Sequence, residues 1–308
     1  DYELFIQYTL YRQWINLKKY ANKKGIEIMG DIPIYVGIDS LDVWSYQKGF
    51  LLDGDGHPTF IAGVPPDYFS ADGQRWGNPI YDWKQLEEDK FDFWINRLDY
   101  SMQLFDVVRI DHFRAFDTYW KIKASCSTAI DGEWVEAPGY GLFDRLFEVN
   151  PKLRLVAEDL GYLRDEVLQL RDHYHLMGMR VIQYSFDPVL QMEDKEHLLT
   201  YTGTHDNEPL KTWYKALDKS YKKQVTTFFK NNALFHESPI DNIIQYALNT
   251  KSTIVIIPMV DLLHKDNECR LNTPGTVGGN NWRWRLKDVQ EYQHVINKIH
   301  KMIKDSKR

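Results

Sequence analysis

The sequence predicts an α/β fold, a (β/α)8 TIM barrel with inserted segments, on three observations. Short apolar β-like runs alternate with helical stretches, the pattern of βαβ units around a parallel sheet. The runs near 107, 155 and 253 are apolar throughout, as strands buried on both faces are. Three runs end in an acid: Val107-Val108-Arg109-Ile110-Asp111, Leu155-Val156-Ala157-Glu158 and Tyr201-Thr202-Gly203-Thr204-His205-Asp206. Acids ending several strands are the layout of a barrel whose chemistry sits at the C-terminal ends of its strands. Six strands are readable where such a barrel needs eight. The alternatives are a six-stranded α/β fold, or a barrel whose first two strands precede residue 1.

The elements follow in order. Residues 2–24 read as a helix ended by Gly25, and 26–31 as a strand running to Pro33. Residues 33–85 are dense in Gly, Pro and Asp, yet carry Tyr35, Trp44, Phe60, Tyr68, Phe69, Trp76, Tyr81 and Trp83. That is too aromatic for disorder, so the stretch reads as an ordered, ligand-facing excursion. A helix is expected over 87–105, a strand over 107–111, a short helix near 113–121, a loop through Asp131-Gly132 and a helix near 141–149. Then come a strand 153–158, a helix 163–174, strands 179–186 and 199–204, helices at 207–230 and 236–249, a strand 252–258, a Gly/Asn-rich loop 272–282 and a helix 286–304. The domain reading is a single catalytic unit, 1–308, with insertions at 33–85 and 122–150 over the cleft.

Composition narrows the function. The formal net charge is −6 with no block of like charges, which argues against a nucleic-acid partner. Aromatic residues make up 14%, which fits either a large core or a core with some rings lining a cleft, where sugar C–H faces can lie flat on them; composition alone does not separate the two. Cys126 and Cys269 form neither a disulfide framework nor a metal-ligand spacing, and suit a reducing, cytoplasmic compartment. No apolar run is long enough to cross a bilayer and no secretory segment opens the chain. The chain starts without Met inside a helical pattern, so an upstream segment is expected.

The chemistry-bearing residues lie at the strand ends. Arg109 and Asp111 share one strand face and Val108 and Ile110 the other, so the charged pair points into the mouth and the apolar pair packs outward. An Arg beside an Asp keeps the carboxylate ionised. Singly, each acid has a plain structural reading: an ion pair for Asp111, a cap for Glu158, a helix N-cap for Asp206 or Asn207. Three at equivalent places in one repeating architecture outweigh those readings. Two carboxyl groups flanking a bond, with a third nearby, are the equipment for breaking a glycosidic link.

The motifs Val-Arg-Ile-Asp-His-Phe-Arg (108–114), Ala-Glu-Asp-Leu-Gly (157–161) and Gly-Thr-His-Asp-Asn (203–207) resemble the successive motifs of the α-amylase clan. More closely, the chain resembles the 4-α-glucanotransferases (amylomaltase or disproportionating enzyme, glycoside hydrolase family 77). Further matches lie at 30–36, 39–44, 63–70, 73–79 and 272–276 (Asn-Thr-Pro-Gly-Thr), and the similarity runs to about residue 286. The resemblance implies a (β/α)8 barrel of which strands three to eight are here. It also implies Asp111 as nucleophile, Glu158 as acid/base and Asp206 as transition-state stabiliser. Arg109, His112, His205, Asp31, Tyr35, Gln74, Trp76, Asn78, Asp159, Asp187 and Asn272 are the implied substrate-binding positions. The implied partners are α-1,4-glucans and maltooligosaccharides, with no metal or organic cofactor and no membrane. The loop 60–83 is the expected cover that favours a sugar acceptor over water. An α-amylase-type hydrolase and an inactive glucan-binding homologue are the alternatives.

Four places depart from the family: Val260 stands where Gln is usual, Ala115 where Gly is usual, 188–200 is short, and 263–269 lacks the Gly-rich form. They bear on chain-length preference and loop geometry, not on the three acids.

Overall fold

A computed structural model describes residues 1–66, 70–161, 163–189, 193–274, 276 and 278–308. Parts of three stretches named above lie outside the described residues: 67–69 with Tyr68 and Phe69, 190–192, and Gly275 of the 272–276 motif. The chain divides into two units, Asp1–Gly178 and Met179–Arg308.

The first unit opens with α1 (Tyr2–Lys23), followed by β1 (Met29–Pro33) and α2 (Leu41–Ser45). Then come β2 (Phe60–Val64), β3 (Gln74–Pro79), α3 (Trp83–Glu88), α4 (Asp92–Leu104) and β4 (Val107–Asp111). The unit continues with β5 (Thr118–Lys123), β6 (Gly132–Glu136), α5 (Gly139–Val149), β7 (Leu155–Ala157) and α6 (Asp165–His173). β1, β4 and β7 form a parallel sheet in the order β1-β4-β7. Val108 and Ile110 are fully buried in one core cluster with Trp94 and Leu98 of α4 and Leu142 and Leu146 of α5. The outward face of β4 is therefore apolar, as its alternation predicts.

Three expectations change here. The helix expected over 87–105 is two helices, parted where Lys90 and Phe91 take φ of 54° and 58°. The helix expected at 113–121 is a 3-10 turn, Phe113–Phe116, followed by strand β5. Thr118-Tyr-Trp-Lys-Ile-Lys is rich in β-branched and aromatic residues, and that preference prevails. The loop through Asp131 holds strand β6. The insertions thus meet in an antiparallel sheet, β3-β2-β5-β6. Trp120 lies opposite Trp134 across β5 and β6, ring centroids 5.2 Å apart. Gly63 is required in β2, because a Cβ there would come within 2.2 Å of the Gln74 carbonyl oxygen. The β2–β3 register shifts between Ile61 and Gly63, and the shift falls opposite Trp76-Gly77-Asn78, with Gly77 at φ 82°. A bulge of this kind re-aims the side chains it carries.

The second unit contains β8 (Gly178–Val181), α7 (Ile182–Ser185), β9 (Leu198–Tyr201), α8 (Leu210–Ala216), α9 (Lys219–Asn231) and α10 (Pro239–Asn249). β10 (Ile254–Ile256), α11 (Met259–Leu262) and α12 (Gln290–Asp305) complete it. Its sheet has the order β10-β9-β8, with β9 and β10 parallel. The strand expected over 179–186 stops at Val181, because Ile182–Ser185 turn into a helix. Val225, Phe228, Ile243, Ile244, Ile299 and Met302 bring α9, α10 and α12 into one core.

Buried Asp241 on α10 ties this unit together. His264 Nε2 lies 2.8 Å from its carboxylate, and Lys298 Nζ donates to both its oxygens at 2.8 and 2.9 Å. Burial works to raise the Asp241 pKa, but the hydrogen bonds from His264 and Lys298 outweigh it and leave the group below its ordinary value. Stability from a lowered carboxylate is present above the unfolded pKa and is lost as pH falls through the folded one. Asp241→Asn is expected to cost about 2 kcal/mol at neutral pH, the worth of hydrogen bonds to charged groups. The difference in melting temperature between wild type and variant should shrink as the pH falls below about 4.

Candidate active site

In the first unit β1 and β4 place three charges side by side. The parallel register sets Asp31 beside Arg109 and Pro33 beside Asp111. Arg109 is buried, 6% exposed, and its guanidinium spans two carboxylates, donating to Asp31 at 2.5 Å and to Asp111 at 2.8 Å. Both carboxylates remain nearly half exposed. A buried cation is thus satisfied by two acids that still face solvent.

Beyond Asp111 the chain turns at His112, whose φ of 53° is left-handed, into the buried turn Phe113–Phe116. That turn latches β4 to the end of β7. The Glu158 N–H donates to the Ile110 carbonyl at 3.0 Å, and the Phe113 N–H donates to the Glu158 carbonyl at 3.2 Å. The His112 N–H donates to Glu158 Oε2 at 2.8 Å. Glu158 is therefore fixed against the residue that follows Asp111. Burial, and then the charge of Asp111, push its pKa up to about 8, against the opposing pull of Arg109 and the His112 N–H. Burial also pushes His112 down to about 4, so its imidazole is neutral near pH 7. The environment separates the two acids: burial favours the protonated form of one, and the other lies against a cation.

The insertion meets this site through Trp76. The Trp76 ring stands edge-on to His112 at 4.9 Å and 6.3 Å from Tyr35. Trp76 Nε1 donates to the Gln74 side-chain oxygen at 3.2 Å. Asn78 lies at the far end of the same bulge. The Trp76 ring is 38% exposed. Asp159 differs from its neighbours: it is buried, and its carboxylate accepts a hydrogen bond from Arg171. It is committed to an ion pair.

In the second unit Asp206 sits in a closed turn. The Asn207 side-chain oxygen accepts from the N–H and hydroxyl of Thr204 at 2.8 and 2.9 Å, so Asn207 caps this turn rather than a helix. Asn272 Nδ2 donates to Asp206 Oδ1 at 2.6 Å, and the Asn272 N–H donates to the His205 carbonyl at 3.0 Å. Arg270 donates to the Asp206 carbonyl at 2.6 Å and to the Asn272 carbonyl at 2.8 Å. His205 Nε2 is 3.5 Å from Asp206 Oδ2. The structure thus brings together His205, Asp206 and Asn272, three of the expected residues. Asp187 accepts from the Val189 N–H at 2.7 Å within its own turn.

Three residues of this region were not singled out from the sequence: Asp261, Arg270 and Trp282. Asp261 is 2% exposed and accepts from the Thr202 hydroxyl at 2.6 Å and from the Leu210 N–H at 2.7 Å. It therefore joins the end of β9 to the start of α8. Burial pushes its pKa up to about 6 against those hydrogen bonds. A cavity of about 120 Å³ is lined by Thr204, His205, Glu208, Val260, Asp261 and Arg270, among others. One available signal was Asp261 itself, an acid just past an apolar strand and a proline, the pattern already used for the other three. Among the described residues no cluster of three or more His, Cys, Asp or Glu could hold a metal ion, and no helix is long and apolar enough to cross a membrane.

The 4-alpha-glucanotransferase family model matches residues 1–291. The 4-alpha-glucanotransferase of Aquifex aeolicus is 40% identical over 303 residues, 97% of this chain and 62% of that protein. The 4-alpha-glucanotransferase of Streptococcus pneumoniae is 42% identical over 295 residues, 94% of this chain and 58% of that protein. The solved amylomaltase of Streptococcus agalactiae in complex with acarbose superposes with a TM-score of 0.93 at 38% identity, covering 98% of this chain and 62% of that one. The chain thus spans about three fifths of the length of these relatives.

Proposed function

We propose, since this chain belongs to the 4-alpha-glucanotransferase family, that it moves α-1,4-glucan segments between maltooligosaccharides or glucans by a retaining double displacement. One observation carries the reading. Glu158 is kept protonated near neutrality beside an Asp111 that is bound to a buried guanidinium. A proton donor and a carboxylate nucleophile are the pair that retaining glycosyl transfer requires.

In this reading Asp111 attacks the anomeric carbon while Glu158 gives its proton to the departing oxygen, leaving a glycosyl ester on Asp111. Glu158, now a carboxylate, takes the proton of an incoming sugar 4-hydroxyl as that oxygen displaces Asp111. Arg109 stabilises Asp111 as it arrives and as it leaves. Neutral His112 and Asp31 bond sugar hydroxyls, and Asp206, braced by Asn272, favours the oxocarbenium-like state. Asp159 and Asp187 serve more remotely, through the ion pair and the turn they hold. The free thiols Cys126 and Cys269 fit a reducing compartment such as the cytoplasm.

Maltotriose alone should yield glucose and longer oligomers with a constant number of reducing ends. A rise in reducing ends would assign a hydrolase instead, and glucan binding with no turnover would assign an inactive binding protein. Trp76 supports the transfer reading, because a half-exposed ring against His112 offers an acceptor sugar a face and covers the reacting carbon. Trp76→Ala is expected to lower transfer relative to hydrolysis by about fivefold, the worth of about 1 kcal/mol of ring contact. The check is the ratio of reducing ends gained to maltotriose consumed.

A further inference from the structure

Trp282 occupies a costly conformation for no gain in packing. Its φ is 61°, in the left-handed region that a bulky side chain avoids. Its N–H donates to the Leu271 carbonyl at 2.6 Å, which pins the backbone there. The preceding Asn281 braces the loop, its side-chain oxygen accepting from the Thr273 N–H at 3.1 Å and its amide donating to the Thr276 hydroxyl at 2.9 Å. Core residues held in such a conformation usually recover the cost by burial. Trp282 does not, because it is 63% exposed. Strain that packing does not offset points to function.

The ring stands beside one neighbour that matters. Its centroid is 5.1 Å from that of His205, at an interplanar angle of 43°. His205 precedes Asp206, lines the cavity described above, and holds Asn272 through its carbonyl. A broad apolar face is thus held open next to hydrogen-bonding groups suited to hydroxyls: the His205 imidazole, the Asp206 carboxylate and the Asn272 amide. An aromatic face flanked by such groups is complementary to one ligand chemistry, a pyranose ring with apolar C–H faces and equatorial hydroxyls.

We infer that Trp282 is a substrate-stacking residue, its ring carrying one glucose unit of the α-glucan whose hydroxyls His205 and Asp206 hold. This rests on the glucan-transfer reading above and adds a contact to it.

The test compares Trp282→Asn and Trp282→Phe with wild type, using maltotriose as substrate and thermal melting as a second readout. Asn accepts the left-handed conformation readily, so Trp282→Asn should melt at the wild-type temperature or above it. The same variant should raise KM on the order of fivefold or more, with a smaller change in kcat. Trp282→Phe, which keeps a ring, should recover much of that KM. An unchanged KM in Trp282→Asn overturns the inference and leaves glucan transfer standing. So does a melting temperature several degrees lower, which would make the ring a structural element. Failure of the wild-type protein to redistribute maltotriose would instead overturn the underlying reading.

Discussion

Asp111→Asn is expected to abolish maltotriose redistribution, lowering kcat by about 10³-fold or more, on the order of 4 kcal/mol of lost transition-state stabilisation. The substitution keeps volume and keeps an oxygen for the Arg109 hydrogen bond, but removes the charge and the nucleophile. The fold should survive, because Arg109 retains Asp31 as its second acceptor. A second effect separates a lost nucleophile from a disturbed structure. The Asp111 charge is one of the forces that raise Glu158, so in the variant the Glu158 pKa should move down from about 8. Following the Glu158 carboxyl by its infrared absorption across pH 5–10 reads this directly. Full activity in Asp111→Asn would reassign the nucleophile, and an unmoved Glu158 titration would mean the two acids do not sense one another.

How far the sequence could be read depended on the range of the interactions. The chain has the glycosidase-type α/β fold of its amylomaltase relative, and β4 was legible residue for residue. Its alternation of Val108 and Ile110 against Arg109 and Asp111 is local and is set by burial on one face. The Asp31–Arg109 pair was not legible as a contact, because it depends on the register of two strands 78 residues apart. The antiparallel sheet was missed for a related reason. Its strands are short, and β5 was read as helix because one of its partners, β2, lies far back along the chain while the other, β6, lay in a stretch read as loop. Asp159 shows a contact that the motif did not foretell. A motif position suggested contact with substrate, while an arginine twelve residues on takes its carboxylate. Trp282 could not be found by pattern at all, since what distinguishes it is a backbone angle combined with exposure.

Glu158→Gln is expected to lower transfer by about 10²- to 10⁴-fold, the range for removing a general acid, and to make the protein more stable at alkaline pH. The sign follows from proton linkage. The folded pKa of about 8 lies above the ordinary 4.5, so between those values the folded state binds more protons than the unfolded one. Wild-type stability therefore falls as the pH rises through that window and levels off above about 8. A shift of this size corresponds to a few kcal/mol in total. Gln is neutral at every pH and so does not incur that loss. At pH 5 wild type and Glu158→Gln should melt together, and at pH 9 the variant should melt higher. Activity must follow the same titration in the same sense, because the protonated acid is the one that works. The kcat/KM of wild type should fall with an alkaline limb near pH 8. A flat activity profile to pH 9, or melting curves that stay superimposed there, would show that Glu158 is not held as an acid. The same burial that destabilises its charged form keeps the proton available for the leaving oxygen, so the cost in stability and the capacity for catalysis have one physical origin.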